Sequence, residues 1–549
     1  MSWAINGEAV AMDYAFAYDF NTNVAMTNVT EPLLRYSPEG QLEPNLAESW
    51  EMSPDKLRIT FKLRRGVKWH NKPPVNGRAF TSEDVVVTWK KYEDAPTPNN
   101  KAANSNKVNP GAPIISMEAP DAQTVIVNLK EPASYIFQRF ASMVTGELGS
   151  VYPKEAGESF DAKAGQIGTG AWMLEKFVPS VELLYKRNPE YWNARNAGYF
   201  DEVHSPVIPE YNTRLAQFKA GGLSWEMVSA EDIVVTKREV PDLAMYAYAP
   251  VTNSTGATYR FGWEPIDGKP SPFLDIRVRQ ALSLAIDRDQ HIDAFSNVSR
   301  FESEGLPVQT YYYTAMGYVP EWTLDPRDAK RFGENAKYYP GTRNLDEAKK
   351  LFAAAEAAYA GGKFPKFVTG RVNVVFGPAY AQEADVLDNY GRDLGFEIEA
   401  YPLDYNLDYL PKVVTQQGHF KIPNMGWAYA IGAVSSPDAL DYFLWRFHSK
   451  SGATSGSLGD GAFDPEVDLL IDKAKAEFDV KRRQELVHDL QRYLAEKQYT
   501  VARPGFADTF LLAWPAISNF ATFQGDSRVV GAGALGLHQA WFDATKRHG

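Results

Sequence analysis

Two short stretches carry residue types that could bind a cofactor or a metal. Gly531 to Gly536 matches the Gly-x-Gly-x-x-Gly fingerprint of dinucleotide-binding turns. That fingerprint also needs a second strand and an acidic residue about 20 positions further on, and the residues that follow do not supply them. Asp460, Asp464 and Asp468 lack the alternating carboxylates and central glycine of an EF-hand loop. We therefore expect a glycine-rich turn and a helix cap, and we predict no cofactor and no metal.

The residue patterns of the common hydrolases are missing as well. The eight histidines form neither a His-Glu-x-x-His pair nor a cluster, and no Gly-x-Ser-x-Gly turn occurs. The chain has no cysteine, which excludes disulfides, thiolate metal sites and cysteine nucleophiles. His70, directly after Trp69, is expected to pack in a turn. With no catalytic set assembled, the sequence favours a binding protein over an enzyme.

The composition points in the same direction. The 549 residues carry a net charge of −12, which disfavours binding to nucleic acid or to anionic lipid. No window approaches the roughly 18 consecutive apolar residues of a membrane span. The aromatic content is high, with 13 Trp, 29 Tyr and 30 Phe. Aromatic side chains line the clefts in which proteins hold small organic ligands.

The elements that would position such a cleft are of both kinds. Residues 57–63 and 124–129 alternate apolar and polar side chains, which predicts half-buried strands. Thr81 to Asp84 has the pattern of a helix start, and Asp464 followed by Pro465 predicts a second one. No internal repeat and no biased linker separates these elements. The sequence therefore indicates a mixed α and β protein with interleaved domains.

Five blocks of sequence form a more specific series. They are Leu46 to Glu51 with Phe61 to His70 and Thr81 to Val85; Ile167 to Gly170; Tyr185 to Asn188 with Tyr191 and Trp192; Asp275 to Leu282; and Met425 to Trp427. In this order they resemble the family 5 extracellular solute-binding proteins, the oligopeptide, dipeptide and nickel binding group of ABC importers. The resemblance covers essentially the whole chain.

The resemblance implies an α/β, two-lobed, periplasmic-binding-protein-like fold of type II, cluster C, with an extra inserted domain. By analogy, lobe I comprises residues 1–32, 165–265 and 495–549, the inserted domain 33–164, and lobe II 266–494. The hinge would lie near residues 265 and 495. Ligand binding between the lobes would stabilise a closed state that a membrane permease recognises. The blocks at Thr81 to Asp84 and at Gly168 to Gly170 are expected to hold the fold.

The resemblance also implies a cellular location and a partner for the protein. The family acts in the periplasm or at the cell surface, as monomers that deliver a peptide or small-molecule solute to an ABC permease. No basic and apolar leader follows Met1. The start of the sequence alone is compatible with a cytosolic protein or with a leader that was removed. The resemblance favours the second, a signal segment that is absent from this sequence.

Candidate ligand-binding residues follow from the segment after Met425. In peptide-binding relatives an Asp three residues beyond the Trp pairs with the peptide ammonium, and here that position is Ala430. Asp438 could substitute if the intervening loop folds back. Trp427 and Tyr429 offer a stacking face and a hydroxyl donor, and the alternative is that they pack in the core.

A second set of candidates comes from two other segments that the family places near the cleft. The loop from Phe376 to Gln382 contains Phe376 and Tyr380 but no arginine for a ligand carboxylate. Tyr313 lies in the aromatic segment from Tyr311 to Tyr318. Because both charge anchors of the dipeptide-binding mode are missing, the ligand is an oligopeptide-like solute or, alternatively, an oligosaccharide or glycoconjugate.

Other classes of function remain as alternatives. A glycoside hydrolase would need two carboxylates facing each other at roughly 5 to 10 Å, and the spacing of acidic residues proposes no such pair. A chaperone-like protein would expose an apolar patch and bind unfolded chains without selectivity. Nickel is disfavoured as a ligand. We predict a transport protein without catalysis.

Overall fold

The computed structural model describes residues 1–548 with several gaps. The gaps are residues 8, 10, 14–19, 38–40, 95–103, 142–147, 149, 157–158, 164, 195–196, 249–255, 433–437, 451–462 and 520–539. The glycine-rich stretch Gly531 to Gly536 and Asp460 lie outside the described residues.

The strands are short and occur throughout the chain. They are β1 Leu34–Tyr36, β2 Leu42–Pro44, β3 Ala47–Met52, β4 Arg58–Leu63, β5 Ile114–Asp121, β6 Thr124–Leu129, β7 Trp172–Val178, β8 Glu182–Arg187, β9 Glu202–Pro206, β10 Trp225–Glu226, β11 Ala244–Tyr248, β12 Gly256–Phe261, β13 Thr310–Tyr312, β14 Phe367–Arg371, β15 Ile398–Pro402, β16 Met425–Gly432, β17 Thr500–Val501, β18 Gly505–Ala507, β19 Thr509–Ala513, β20 Ile517–Ser518 and β21 Trp541–Phe542.

Helices alternate with these strands. They are α1 Phe20–Met26, α2 Ser82–Asp94, α3 Ile136–Arg139, α4 Tyr211–Lys219, α5 Ile233–Glu239, α6 Ile276–Ala285, α7 Arg288–Ser296, α8 Val298–Ser303, α9 Ala329–Phe332, α10 Leu345–Ala358, α11 Asn373–Leu394, α12 Leu440–Phe447, α13 Pro465–Ala476 and α14 Val480–Lys497. Single 3-10 turns lie at Pro272–Leu274, Glu334–Tyr338 and Val414–Gln416, and a π-helical segment spans Tyr405–Val413.

The chain forms two compact units. Unit 1 contains Met1–Ala249, Ser435–Pro437 and Thr509–Gly549, and unit 2 contains Pro250–Val434 and Asp438–Asp508. The three-way division expected from the sequence, with residues 33–164 as a separate inserted domain and hinges near 265 and 495, stays a prediction.

Unit 1 is built on small antiparallel sheets. One has the strand order β3-β4-β6-β5, a second has the order β7-β8-β9, and a third has the order β10-β19-β11. The alternation in residues 58–63 buries Ile59, Phe61 and Leu63 on one face of β4, as the sequence predicts. Trp172 and Tyr185 are fully buried in the core of this unit.

The predicted helix starts are confirmed at both positions. Thr81 precedes α2, and its backbone amide donates to Asp84 Oδ2 at 3.0 Å, which is the reciprocal half of a capping box. Asp464 caps α13 by accepting from the amide of Glu466 at 3.0 Å. Side chains of this type satisfy amides that have no partner within the helix.

His70 packs in a turn of unit 1, as expected, and its ring is fully buried. Nδ1 accepts from the amide of Gly168 at 3.2 Å, so Nε2 carries the proton and donates to the carbonyl of Gly170 at 2.9 Å. Burial is the main cause that lowers the pKa of His70 to about 4. The neutral ring therefore ties the turn after Trp69 to the glycine turn.

This geometry predicts a pH-dependent stability. The unfolded His70 has an ordinary pKa near 6.5, so between pH 6.5 and 4 the unfolded chain binds more protons than the folded one. The stabilisation is fully present above pH 6.5 and is lost as the pH falls towards 4. We expect His70→Gln to remove roughly 2.5 kcal/mol of the stability that the native protein loses between pH 7.5 and 4.5. Urea unfolding of the native protein and the variant at both pH values measures this loss of stability. Equal losses in the two proteins would contradict the prediction.

Unit 2 is built on one five-stranded mixed sheet with the order β15-β14-β16-β12-β17. β14 pairs in parallel with β15 and β16, whereas β12 is antiparallel to β16 and β17. Successive residues of a strand point to opposite faces of the sheet. Trp427 and Tyr429 of β16 therefore join one core cluster, and Ala428 between them joins another on the opposite face.

Candidate functional site

The two aromatic candidates on β16 lie in the core of unit 2. Trp427 is 0% exposed, and its ring centroid lies 5.1 Å from that of Tyr259, 5.6 Å from that of Phe273 and 4.8 Å from that of Phe367. Tyr429 is also fully buried. These contacts leave Trp427 no open ring face for stacking on a ligand. Core packing, the alternative reading of the sequence, is what the structure shows for both residues.

A single carboxylate fixes the polar atoms of these aromatics. Asp388 Oδ1 accepts from the indole Nε1 of Trp427 at 3.2 Å and from the hydroxyl of Tyr429 at 2.6 Å. Its Oδ2 accepts from Thr369 Oγ1 at 2.9 Å and from the guanidinium of Arg371. Burial raises the pKa of Asp388, although all of these donors favour its charged form. The cluster links α11 to the sheet.

The segment from Phe376 to Gln382 is helical and not a loop, which corrects the prediction. It forms part of α11, which has no side-chain cap at its start. Tyr380 is buried and its hydroxyl donates to the carbonyl of Tyr429 at 2.8 Å. The side chain of Phe376 lies outside the described part of the chain. Tyr380 therefore helps to join α11 to β16.

Asp438, the candidate partner for a peptide ammonium, pairs with a residue of the protein. Arg483 approaches Asp438 Oδ2 with Nε at 2.9 Å and with Nη2 at 2.8 Å. Asp438 Oδ1 accepts from the amide of Leu440 at 2.9 Å and so caps the start of α12. Both side chains are less than a tenth exposed. The negative charge of Asp438 is thus matched by Arg483 within unit 2, and the substitute anchor predicted here is not what the structure shows.

Tyr313 is also buried, beside a second group of charges. Its ring centroid lies 5.3 Å from that of Phe506, and burial raises the pKa of its hydroxyl. Glu383 Oε1 accepts from His291 Nε2 at 2.9 Å and from the guanidinium of Arg503. Burial alone would raise the pKa of Glu383, but the charge of Arg503 and the hydrogen bond from His291 outweigh it and lower this pKa. The predicted site residues are thus distributed over several parts of unit 2.

An arginine that sequence reasoning did not single out lies in the same sheet. Arg260 is on β12, opposite Ala428 on one neighbouring strand and Thr500 on the other. It is 1% exposed. Its Nη1 donates to the carbonyl of Val414 at 3.3 Å, and its Nε has no hydrogen-bond partner.

Arg260 lies close to a second buried arginine. Arg446 of α12 is fully buried, and its positive charge adds to burial in lowering the pKa of Arg260 to about 9. The other groups that act on this pKa are the hydroxyls of Tyr409, Tyr442 and Tyr380. The signal in the sequence is an arginine between two aromatic residues, Tyr259 and Phe261, in a strand that is buried on both faces.

The described residues do not form a metal centre or a membrane span. No group of three or more His, Asp or Glu side chains among them could hold a metal ion. None of the helices in the described part of the chain is both long enough and apolar enough to cross a membrane.

Comparison with known proteins agrees with the architecture. A relative, the periplasmic oligopeptide-binding protein OppA of Haemophilus influenzae, is 28% identical over 287 residues, which cover 49% of each chain. The chain therefore spans about half the length of that relative. Two solved structures cover nearly all of this chain and nearly all of their own chains, each with a TM-score of 0.74.

The first of these structures is the PBP AgaA from A. tumefacien R10 in complex with agropinic acid, at 20% identity, with coverage of 100% of this chain and 99% of its own. The second is the ABC transporter-associated periplasmic binding protein DppA from Helicobacter pylori in complex with the peptide STSA, at 19% identity, with coverage of 99% and 98%. At these identities the likeness concerns the fold. It confirms the predicted α/β fold class of the periplasmic binding proteins.

A match that covers most of the sequence identifies the family of this chain. The family described as bacterial extracellular solute-binding proteins, family 5 Middle, matches residues 41–454. This range includes all five sequence blocks that carry the resemblance. The chain belongs to the family 5 bacterial extracellular solute-binding proteins.

Proposed function

We propose that this protein is the extracytoplasmic substrate-binding protein of an ABC importer and that it captures an oligopeptide-like solute by hinge closure. The observation that carries the proposal is the family match over residues 41–454. The names of the Haemophilus relative and of the Helicobacter structure support a peptide-like ligand. The protein would act without catalysis and deliver its ligand to a membrane permease.

The placement of the aromatic residues bears on the choice between peptide and sugar. The oligosaccharide alternative depended on stacking faces from Trp427, Tyr429 and the segment from Tyr311 to Tyr318. The rings of Trp427 and Tyr429 are enclosed in the core of unit 2, and the first three tyrosines of the segment are buried. Peptide backbones are held by hydrogen bonds and charges, which need no such faces. We therefore prefer the oligopeptide-like solute.

A thermal unfolding screen tests this proposal. Protein stripped of ligand by unfolding and refolding is heated with di- to pentapeptides and, separately, with oligosaccharides of similar size. A ligand present at a hundred times its dissociation constant stabilises the folded state by about 2.7 kcal/mol. We therefore expect peptides, and not oligosaccharides, to raise the midpoint of thermal unfolding. A response to oligosaccharides alone would contradict the peptide assignment, and mass spectrometry of the recovered peptide shows whether it returns intact.

A further inference from the structure

Arg260 differs in its surroundings from three other buried arginines of unit 2, Arg279, Arg288 and Arg371. Arg288 donates to two carbonyls and to the hydroxyl of Ser283. Arg279 donates to three carbonyls, and Arg371 pairs with two aspartates. Among the described residues Arg260 makes one hydrogen bond, at 3.3 Å, near the long end of hydrogen-bond distances. The Nε atoms of Arg288 and Arg371 also lack a hydrogen-bond partner, but each of these three arginines has more hydrogen bonds or ion pairs than Arg260.

The charges near Arg260 make its burial more costly. After burial, the largest effect on the pKa of Arg260 comes from Arg446, a charge of the same sign, and tyrosines follow. Among the described residues no carboxylate lies within 4.0 Å of the Arg260 guanidinium. Taking an ionised group out of water without a counter-charge costs several kcal/mol. An anion bound here would remove that cost.

The tyrosines near Arg260 are partly committed to the protein. The hydroxyl of Tyr442 donates to the carbonyl of Ala315 at 3.2 Å, and that of Tyr380 donates to the carbonyl of Tyr429 at 2.8 Å. A guanidinium presents five N–H donors in a planar fork that matches a carboxylate with two parallel hydrogen bonds. The unused donors of Arg260 are thus the part of this cluster suited to an anion.

We propose that Arg260, supported by the charge of Arg446, binds a carboxylate of the transported solute. This deepens the proposed function and depends on it, because it assigns the solute to the carboxylate-bearing class. The Arg260 carboxylate site, defined by Arg260 and Arg446, supplies a cationic anchor that the segment from Phe376 to Gln382 lacks. Binding provides a counter-charge that none of the described residues places within 4.0 Å of the Arg260 guanidinium.

The test compares three peptides by isothermal titration calorimetry. They are tri-alanine, its C-terminal amide, and Ala-Glu-Ala amide, whose only carboxylate is on the side chain. We expect the native protein to bind one or both carboxylate peptides and to bind tri-alanine amide much more weakly. Arg260→Met, which keeps the aliphatic stem, is expected to weaken binding of the carboxylate peptides by roughly 100-fold. Arg260→Lys keeps the charge but loses the fork, and it should weaken them by a smaller factor.

The ligand-free stability of the variants gives a second readout. If Arg260 serves binding and its burial destabilises the fold, Arg260→Met removes an unmatched charge. The unfolding midpoint of this variant should then be unchanged or raised. The matched control is Arg288→Met, since Arg288 is equally buried but donates to three acceptors. Its midpoint is expected to fall.

The outcomes separate the two proposals. Failure of every peptide to bind the native protein would refute the oligopeptide function. Tight binding by the native protein that Arg260→Met leaves unchanged would refute the carboxylate site and leave the function standing. A lower midpoint for ligand-free Arg260→Met, comparable to that of Arg288→Met, would mark Arg260 as structural whichever way the peptides behave.

Discussion

Replacing Gly168 with alanine is expected to prevent unit 1 from folding correctly. A Cβ atom at this position would lie 1.7 Å from the carbonyl oxygen of Val29 and 2.5 Å from its carbonyl carbon. The obstacle is backbone, and the Val29 carbonyl is held by the amide of Gly170 at 3.0 Å. The carbonyl of Gly168 also accepts from the amide of His70 at 2.8 Å. Neither the backbone at Val29 nor the backbone at Gly168 can move without breaking these hydrogen bonds.

We expect the Gly168→Ala variant to lose more than about 4 kcal/mol of unfolding free energy, or to accumulate unfolded. Urea unfolding followed by circular dichroism measures the loss. Gly165→Ala is a matched control three positions earlier, where an added Cβ meets no atom within 4 Å, and its stability should change by less than about 0.5 kcal/mol. Native stability of Gly168→Ala would show that the two backbone segments are not in contact.

Replacing Asp438 with alanine is expected to destabilise unit 2 strongly. The change leaves Arg483 buried without its counter-charge and removes the cap of α12. Breaking a buried ion pair on one side typically costs about 3 to 5 kcal/mol. Burial raises the pKa of Asp438 even though Arg483 lowers it, so desolvation of the carboxylate outweighs the attraction within the pair. Chemical denaturation of the ligand-free variant measures the loss.

The double variant Asp438→Leu with Arg483→Met is the matched control for this pair. Replacing both charges with apolar side chains of similar volume removes the desolvation cost from both sides, so we expect it to recover most of the lost stability. The same variants also test the earlier reading of Asp438 as a peptide anchor. An Asp438→Ala protein that keeps its stability but loses only peptides with a free N-terminus would restore that reading.

Local patterns in the sequence were sufficient for several elements of the fold. The alternation in residues 58–63 placed β4 because one face of this antiparallel sheet is buried and the other is partly exposed. Asp464 and Pro465 placed the start of α13 because capping depends on neighbouring residues alone. The prediction of a loop from Phe376 to Gln382 was wrong. Gly377 and Pro378 favour turns, yet the helix runs through both of them.

The candidate site was less predictable from the sequence. Residues on both faces of β16 are buried. The pattern of apolar and polar residues therefore could not show which face packs in a core and which face could line a binding site. The family resemblance drew attention to Trp427, whose indole is committed to Asp388 far away in sequence. Arg260 was missed because a charged residue in an alternating strand is normally read as solvent-exposed. Only the three-dimensional packing shows that it has lost contact with water.

The strand order of unit 1 has a consequence for the time course of synthesis. β19 is the middle strand of the sheet β10-β19-β11, yet all of unit 2 is translated between β11 and β19. The five-stranded sheet of unit 2 draws its strands from β12 to β17 and can close as soon as Val501 has been made. Domains fold as units while the chain grows, and non-local strand pairing is slow. The unit that begins first on the ribosome is therefore the one that is finished last.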